Sequence, residues 1–198
     1  MSPLTELIGS AKAYGWGSFA AAGDYESIAT VTVGSGGSST ITFSSIPQTY
    51  KHLQIRGICK SSETANTEQA VYVNFNNDTG ANYSRHGMYG TGSALTAYGM
   101  GPSATFGILG ASSTSNAAQV GMFGVSIMDI LDYTAGNKLK TCRGVWGTEF
   151  NSSVGVLLRG SFYWNDFSAI TSIRLTIVGA GPNFVEHSSF ALYGIRGA

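Results

Sequence analysis

The stretch "ITSIRLTIV", Ile170–Val178, decides what kind of fold this chain can adopt. Ile173, Leu175 and Ile177 fall on one side, Arg174 and Thr176 on the other. A period of two gathers apolar residues onto one face only in an extended strand; a helix would scatter them around its axis. The isoleucines and threonine are also the residue types that fit a pleated, half-buried surface.

The same period recurs on both sides of this run. Downstream is "SSFALYGI"; upstream lie "VGVLLRGSFYW", "KLKTCRGVW" and "QVGMFGVSIMDIL". Earlier, "QAVYVNFN" sets Val71, Val73 and Phe75 inward with Tyr72 and Asn74 outward, and "HLQIRGICK" alternates Leu53 and Ile55 against Gln54 and Arg56. "TITFSSI" places Ile41 and Phe43 together, while "YESIATVTV" sets Ile28 apart before Val31 and Val33. The Gly-Ser loop between these last two runs is a hairpin signal. Pro47 fits a corner where a strand ends, because proline cannot hold a central ladder position. From Gly87 to Ala118 bulky anchors are few, so long loops with one strand near "SATFGIL" are expected. Nine or ten strands with no long helix imply an all-β protein, a jelly-roll-like antiparallel β-sandwich spanning residues 25–198. No repeat of 20–50 residues suggests a solenoid or propeller.

Residues 1–24 differ. Leu4, Leu7, Ile8 and Ala11 recur at helical spacing, with Ser2-Pro3 as N-cap and first helical residue. "AYGWGSFAAAG" then carries Tyr14, Trp16 and Phe19. Disordered linkers are poor in aromatics, so a short N-terminal arm that orders by docking is expected, with Leu4, Leu7, Ile8, Tyr14, Trp16 and Phe19 as its anchors. The start has neither the basic residues nor the unbroken apolar core of a secretory signal, so synthesis in the cytoplasm is expected. No run approaches the roughly 20 apolar residues of a membrane span.

Only 11% of the 198 residues are charged, and 11 basic residues balance 11 acidic ones. An average soluble domain carries about a quarter. Without a net positive field, nucleic acid is not an expected partner. The surface must be covered by uncharged polar groups or by partner chains, since interface cores are depleted in charge. Cys59 and Cys142 form no CxxC pattern and read as reduced thiols.

Catalytic and metal chemistry find little footing. There is no G-x-S-x-G, no P-loop and no GxGxxG opening a helix, and His52, His86 and His187 share no ligand spacing. Asp129 and Asp132 flank two apolar residues at a strand end, where a turn role is the simpler account. No enzyme and no cofactor are expected.

One segment is dense in polar chemistry: "VNFNNDTGANYSRHGMYG", Val73–Gly90. Asn76-Asn77-Asp78-Thr79-Gly80 offers oxygens suited to calcium but lacks the spaced acidic series and final Glu of an EF-hand. Asx residues before Gly also make turns unaided, and the turn is the favoured reading. Asn82, Tyr83, Arg85, His86 and Tyr89 then supply amide, phenol, guanidinium and imidazole groups. These suit either a sugar or a second subunit.

Four segments, "ITFSSIPQTYKHLQIRG", "VNFNNDTGANYSRH", "AITSIRLTI" and "FALYGIRG", taken in this order, resemble small tailed-bacteriophage virion proteins. The resemblance covers residues 39–90 and 165–197; Glu186-His187 stand where small residues are expected, and residues 1–24 carry none of it. It implies a virion structural protein decorating the capsid or tail, assembled with itself, as a trimer, and with other virion proteins through the arm. The alternative it leaves open is a receptor-binding adhesin or tail-fibre domain reading host glycan through Asn76–Tyr89.

Overall fold

The computed structural model describes residues 24–66, 68–114, 121–150, 155–179 and 181–197. The arm residues Leu4, Leu7, Ile8, Tyr14, Trp16 and Phe19 lie outside them. The described residues form twelve strands: β1 (Tyr25–Thr32), β2 (Thr40–Phe43), β3 (His52–Ser61), β4 (Glu68–Phe75), β5 (Tyr83–Gly90), β6 (Leu95–Ala104), β7 (Gly107–Thr114), β8 (Gly124–Leu131), β9 (Lys140–Glu149), β10 (Gly155–Trp164), β11 (Ile173–Ile177) and β12 (Ser189–Ile195).

Two layers result. The larger sheet has the order β1-β12-β3-β8-β9-β10-β5-β6, and the smaller β2-β11-β4-β7. The protein is an all-β sandwich. Between them lies the main core: Ile41, Val73, Phe75, Ile173 and Leu175 from the small sheet meet Leu53, Ile55, Met128, Phe162, Trp164 and Leu192 from the large one. The opening stretch behaves as its period demands, with Ile173, Leu175 and Ile177 buried and Arg174 and Thr176 half-buried on the other face.

Three sequence expectations need correction. The sheets are not wholly antiparallel: the end of β3 leaves the large sheet and runs parallel to β7, pairing Lys60 with Ser113 and Ser61 with Thr114. The Gly-Ser loop after β1 makes no hairpin; β1 pairs with β12 and β2 with β11, so this loop crosses between layers. The glycine-rich middle is not loop but the strands β5, β6 and β7. Some of its glycines lie under rings from other strands: a side chain added at Gly87 would meet the Tyr98 ring at 2.7 Å, and at Gly107 it would overlap Phe162. Missing side chains there are replaced by aromatic cover, which lets a weak strand former hold its place.

Ile28 is set apart because it is the extra residue of a β-bulge, where Ser27 pairs with Tyr193 and Ala29 with Leu192. Cys59 and Cys142 are free and buried; burial raises the Cys59 thiol to about 12 and Cys142 well above its ordinary value, so neither is a thiolate near neutrality. Lys140 is fully buried, its Nζ donating to the carbonyls of Ala135 (2.5 Å), Lys138 (3.0 Å) and Phe167 (3.2 Å). It closes the β8–β9 connection against the segment after β10, a role its sequence context does not announce.

Candidate functional site

The turn at the end of β4 is built from backbone conformation outward. Asn76 and Asn77 both hold positive φ (49° and 58°), and the Asp78 N–H donates to the Phe75 carbonyl at 2.8 Å. Two left-handed residues closed by that bond make a type I′ turn, and asparagine is among the few non-glycine residues that tolerate the geometry.

The side chains then lock the turn to the core. Asp78 accepts from the Trp164 Nε1–H (2.6 Å), the Asn82 Nδ2–H (2.9 Å) and the Gly80 N–H (2.8 Å). Burial is the largest influence on its carboxyl and pushes its pKa up, yet the three hydrogen bonds, from Trp164, Asn82 and Gly80, outweigh it and hold the group below its ordinary value. Asn76 donates to the Ala169 carbonyl and accepts from Thr171 and Ser172, tying β4 to the segment before β11. Asn74 is buried, donating to the carbonyls of Asp78 and Thr105.

The eight candidate residues of this segment therefore do not converge on one ligand surface. Tyr83 is fully buried, its hydroxyl accepting from the Phe75 N–H at 3.0 Å, so it cannot read a ligand. Asn76, Asp78 and Asn82 are engaged in the turn, and Asn77 sits exposed at its tip. The strand period separates the rest. Arg85 lies over the Phe106 ring at 4.3 Å; Tyr89 packs inward against a cluster of Ala111, Trp146 and Leu158; His86 is exposed beside Gly99. Among the described residues no group of three or more His, Cys, Asp or Glu side chains is placed to hold a metal ion.

A different surface stands out, on the outer face of the large sheet. One register row runs Ile58–Val125–Gly147–Leu157–Gly90–Leu95 across β3, β8, β9, β10, β5 and β6. The next runs Arg56–Ile127–Val145–Arg159–Met88–Ala97. Leu157 is 64% exposed and Leu95 73%, and Ile58, Val125, Ile127, Val145 and Met88 are all counted as exposed. At roughly 4.8 Å between strands, six strands carry this apolar band over about 24 Å.

Beyond the band the same face turns polar. Asp129 accepts from Gln54 Nε2 (2.8 Å) and Arg143 Nε (3.2 Å), Gln54 Oε1 accepts from Arg56 Nε (2.9 Å) and the Tyr25 hydroxyl (2.6 Å), and Arg56 lies over the stacked Tyr25 and Tyr193 rings. This bonded corner sits where β1 begins, and Asp24 beside it is fixed by its carbonyl to the Arg196 N–H at 2.9 Å. Sequence reasoning missed the band because apolar residues were assigned to the interior. The available signal was the pair of apolar faces in "GVSIMDIL", where only one can be core.

No protein-family model matches this sequence, and no curated protein matches it.

Proposed function

We propose that this protein is a bacteriophage virion structural protein that decorates the capsid or tail, held by its residues 1–24 and assembled as a symmetric oligomer, a trimer. The observation that carries this reading is the apolar band on the outer face of the large sheet. Exposed apolar patches of this extent mark surfaces that meet another molecule, and Arg56 at the end of its second row with the Asp129–Arg143 pair in the next gives the polar border usual around such contacts.

Two further features support it. The four segments that resemble small virion proteins fall on β2 to β5 and on β11 and β12. Successive strands also pass between layers: β2 small, β3 large, β4 small, β5 and β6 large, β7 small, β8 to β10 large, β11 small. Such wrapping suits a jelly-roll-like sandwich with a three-strand meander in the large sheet.

The test pairs two measurements. Sedimentation velocity should show the purified wild type as an oligomer, and Leu157→Asp combined with Val145→Asp should shift it toward monomer with thermal stability little changed. The same double variant, supplied during particle assembly, should be depleted from purified virions. A monomeric wild type, or undiminished incorporation of the variant, would overturn the reading.

A further inference from the structure

The small sheet ends at β7, while the large sheet continues through β10, β5 and β6. Among the described residues, part of the large sheet's inner face is therefore left without a full cover, and a cavity of about 220 Å³ opens there. Glu68 at the start of β4, Ile108 on β7, Tyr89 on β5, Tyr98 on β6, Trp146 on β9 and Leu158 on β10 line it. Two of these carry a buried polar atom with no hydrogen-bond partner among the described residues: Glu68 Oε2 and Trp146 Nε1. Trp146 is 4% exposed, so its unpaired N–H is a costly feature for folding alone.

We propose that this cleft binds a single sugar ring. The chemistry of the lining selects among ligand classes. Tyr89, Tyr98 and Trp146 present aromatic surface on which the C–H face of a pyranose packs. A hydroxyl both donates and accepts, so neighbouring sugar hydroxyls can take the Trp146 N–H and engage the Glu68 carboxyl once these two side chains, whose unpaired atoms are closed to solvent here, turn toward the cleft. An organic ammonium would suit the rings and a carboxylate but leave the indole N–H unpaired. An apolar chain would leave both groups unpaired.

Pockets for drug-sized ligands run to about 300–1,000 Å³; at about 220 Å³ this cleft has room only for a smaller molecule. Burial raises the Glu68 carboxyl above its ordinary value, favouring the neutral form that can donate as well as accept. Gly110 lets β7 pack closely on the cleft wall, because a Cβ there would come within 3.0 Å of both Ser126 and Trp146.

This site is separate from the outer apolar band and does not depend on the assembly reading. It also differs from the turn segment first expected to read glycan, of which only Tyr89 contributes.

The test is saturation-transfer NMR on the full chain with a panel of hexoses, N-acetylhexosamines and deoxyhexoses, and tetramethylammonium as the competing class. At least one sugar should receive saturation from aromatic protons, and Tyr98→Ala should weaken it about tenfold or more. Because the Tyr98 ring also covers Gly87, that variant can lose stability. Glu68→Gln, which keeps shape and removes the acid, should lower affinity measurably with folding intact. Three results would each overturn the proposal: no sugar bound, tetramethylammonium bound in preference, or sugar binding indifferent to both substitutions. Because the measurement uses the isolated protein, it stands or falls separately from incorporation into particles.

Discussion

Replacing Asp78 by Ala tests whether the Asn-rich turn is a structural lock or an ion site. The substitution removes three acceptor contacts, to Trp164 Nε1 at 2.6 Å, Asn82 Nδ2 at 2.9 Å and Gly80 N at 2.8 Å. Trp164 is only 2% exposed, so its N–H is left without a partner and without water. A hydrogen bond to a charged group contributes about 1.5–3 kcal/mol, and stranding a buried donor costs about 1–3 kcal/mol. Asn82 and Gly80 lie nearer solvent and recover much of their loss. A net cost of about 3–4 kcal/mol follows, a large share of the roughly 5–15 kcal/mol that holds a domain folded. At about 2–4 °C per kcal/mol for a chain of this size, Tm should fall by roughly 6–16 °C.

Differential scanning calorimetry, with and without calcium chloride, reads both alternatives. As a lock, the wild-type turn should show no calcium-dependent Tm. As a site, calcium at about 100 times its Kd would add about 2.7 kcal/mol. The sign with pH is also set: a carboxyl held below its ordinary pKa contributes stability that is present above the unfolded value and lost as pH falls through the folded one. The difference between wild type and Asp78→Ala should therefore shrink in acid. A cost below about 1 kcal/mol, or calcium stabilisation that Asp78→Ala abolishes, would refute the lock.

Three further outcomes follow from the geometry. Tyr83→Phe should cost about 1–3 kcal/mol in urea unfolding, because the Phe75 N–H loses its acceptor inside the core; a neutral result would mean this bond is not made. Gly107→Ala should cost about 1–3 kcal/mol by forcing its new methyl against the Phe162 ring, measured as a drop in the urea midpoint at constant slope. Asp132 is hydrogen-bonded and ion-paired by Lys138 (2.6 Å) and Lys51 (3.1 Å), which hold its carboxyl down to about 2. Asp132→Asn should therefore be less stable than wild type near neutrality, with the gap closing as pH falls toward about 2; a gap that persists in acid would show that the ion pairs contribute nothing.

The sandwich was legible because its core strands alternate cleanly. In "ITSIRLTIV" and "HLQIRGICK" the inward residues are bulky and the outward ones polar, so period alone assigns both strand and face. Ile28 was legible as an anomaly, although its meaning as a bulge needs the partner register of β12. The middle was not legible. In "YSRHGMYG" and "LTAYGMGPSA" the glycines carry no periodic signal, and two of them lie under the ring of a residue on another strand, Gly87 under Tyr98 and Gly99 under His86. The turn chemistry of Asn76–Gly80 was readable from local residue types, but the grip of Trp164 on Asp78 spans 86 positions and has no local trace. Asn76–Tyr89 do not present one surface, for a plain reason: a strand sends alternate side chains to opposite faces, which puts His86 on the face away from Tyr83.

The same alternation separates residues that fold the protein from residues free to do something else. In β8 the inward positions are Gly124, Ser126, Met128 and Ile130, and the outward ones begin with Val125 and Ile127. Ser126 is small because it must be: a Cβ on Gly57 or Gly110 would already come within about 3 Å of it. Packing therefore dictates the inner face down to single atoms, while Val125 and Ile127 remain about half exposed and gain little from folding. Leu157 and Leu95 gain still less. Their row is also uneven, Ile58 and Val125 followed by Gly147, Leu157, Gly90 and Leu95, so that glycine hollows separate leucine projections. A relief of that kind does nothing for an isolated sandwich, but it gives a facing surface somewhere to interlock, and burying one Leu is worth about 1.5–3 kcal/mol. Folding of this sandwich gains little from the apolar outer face, and the proposed contact with a second surface would account for it.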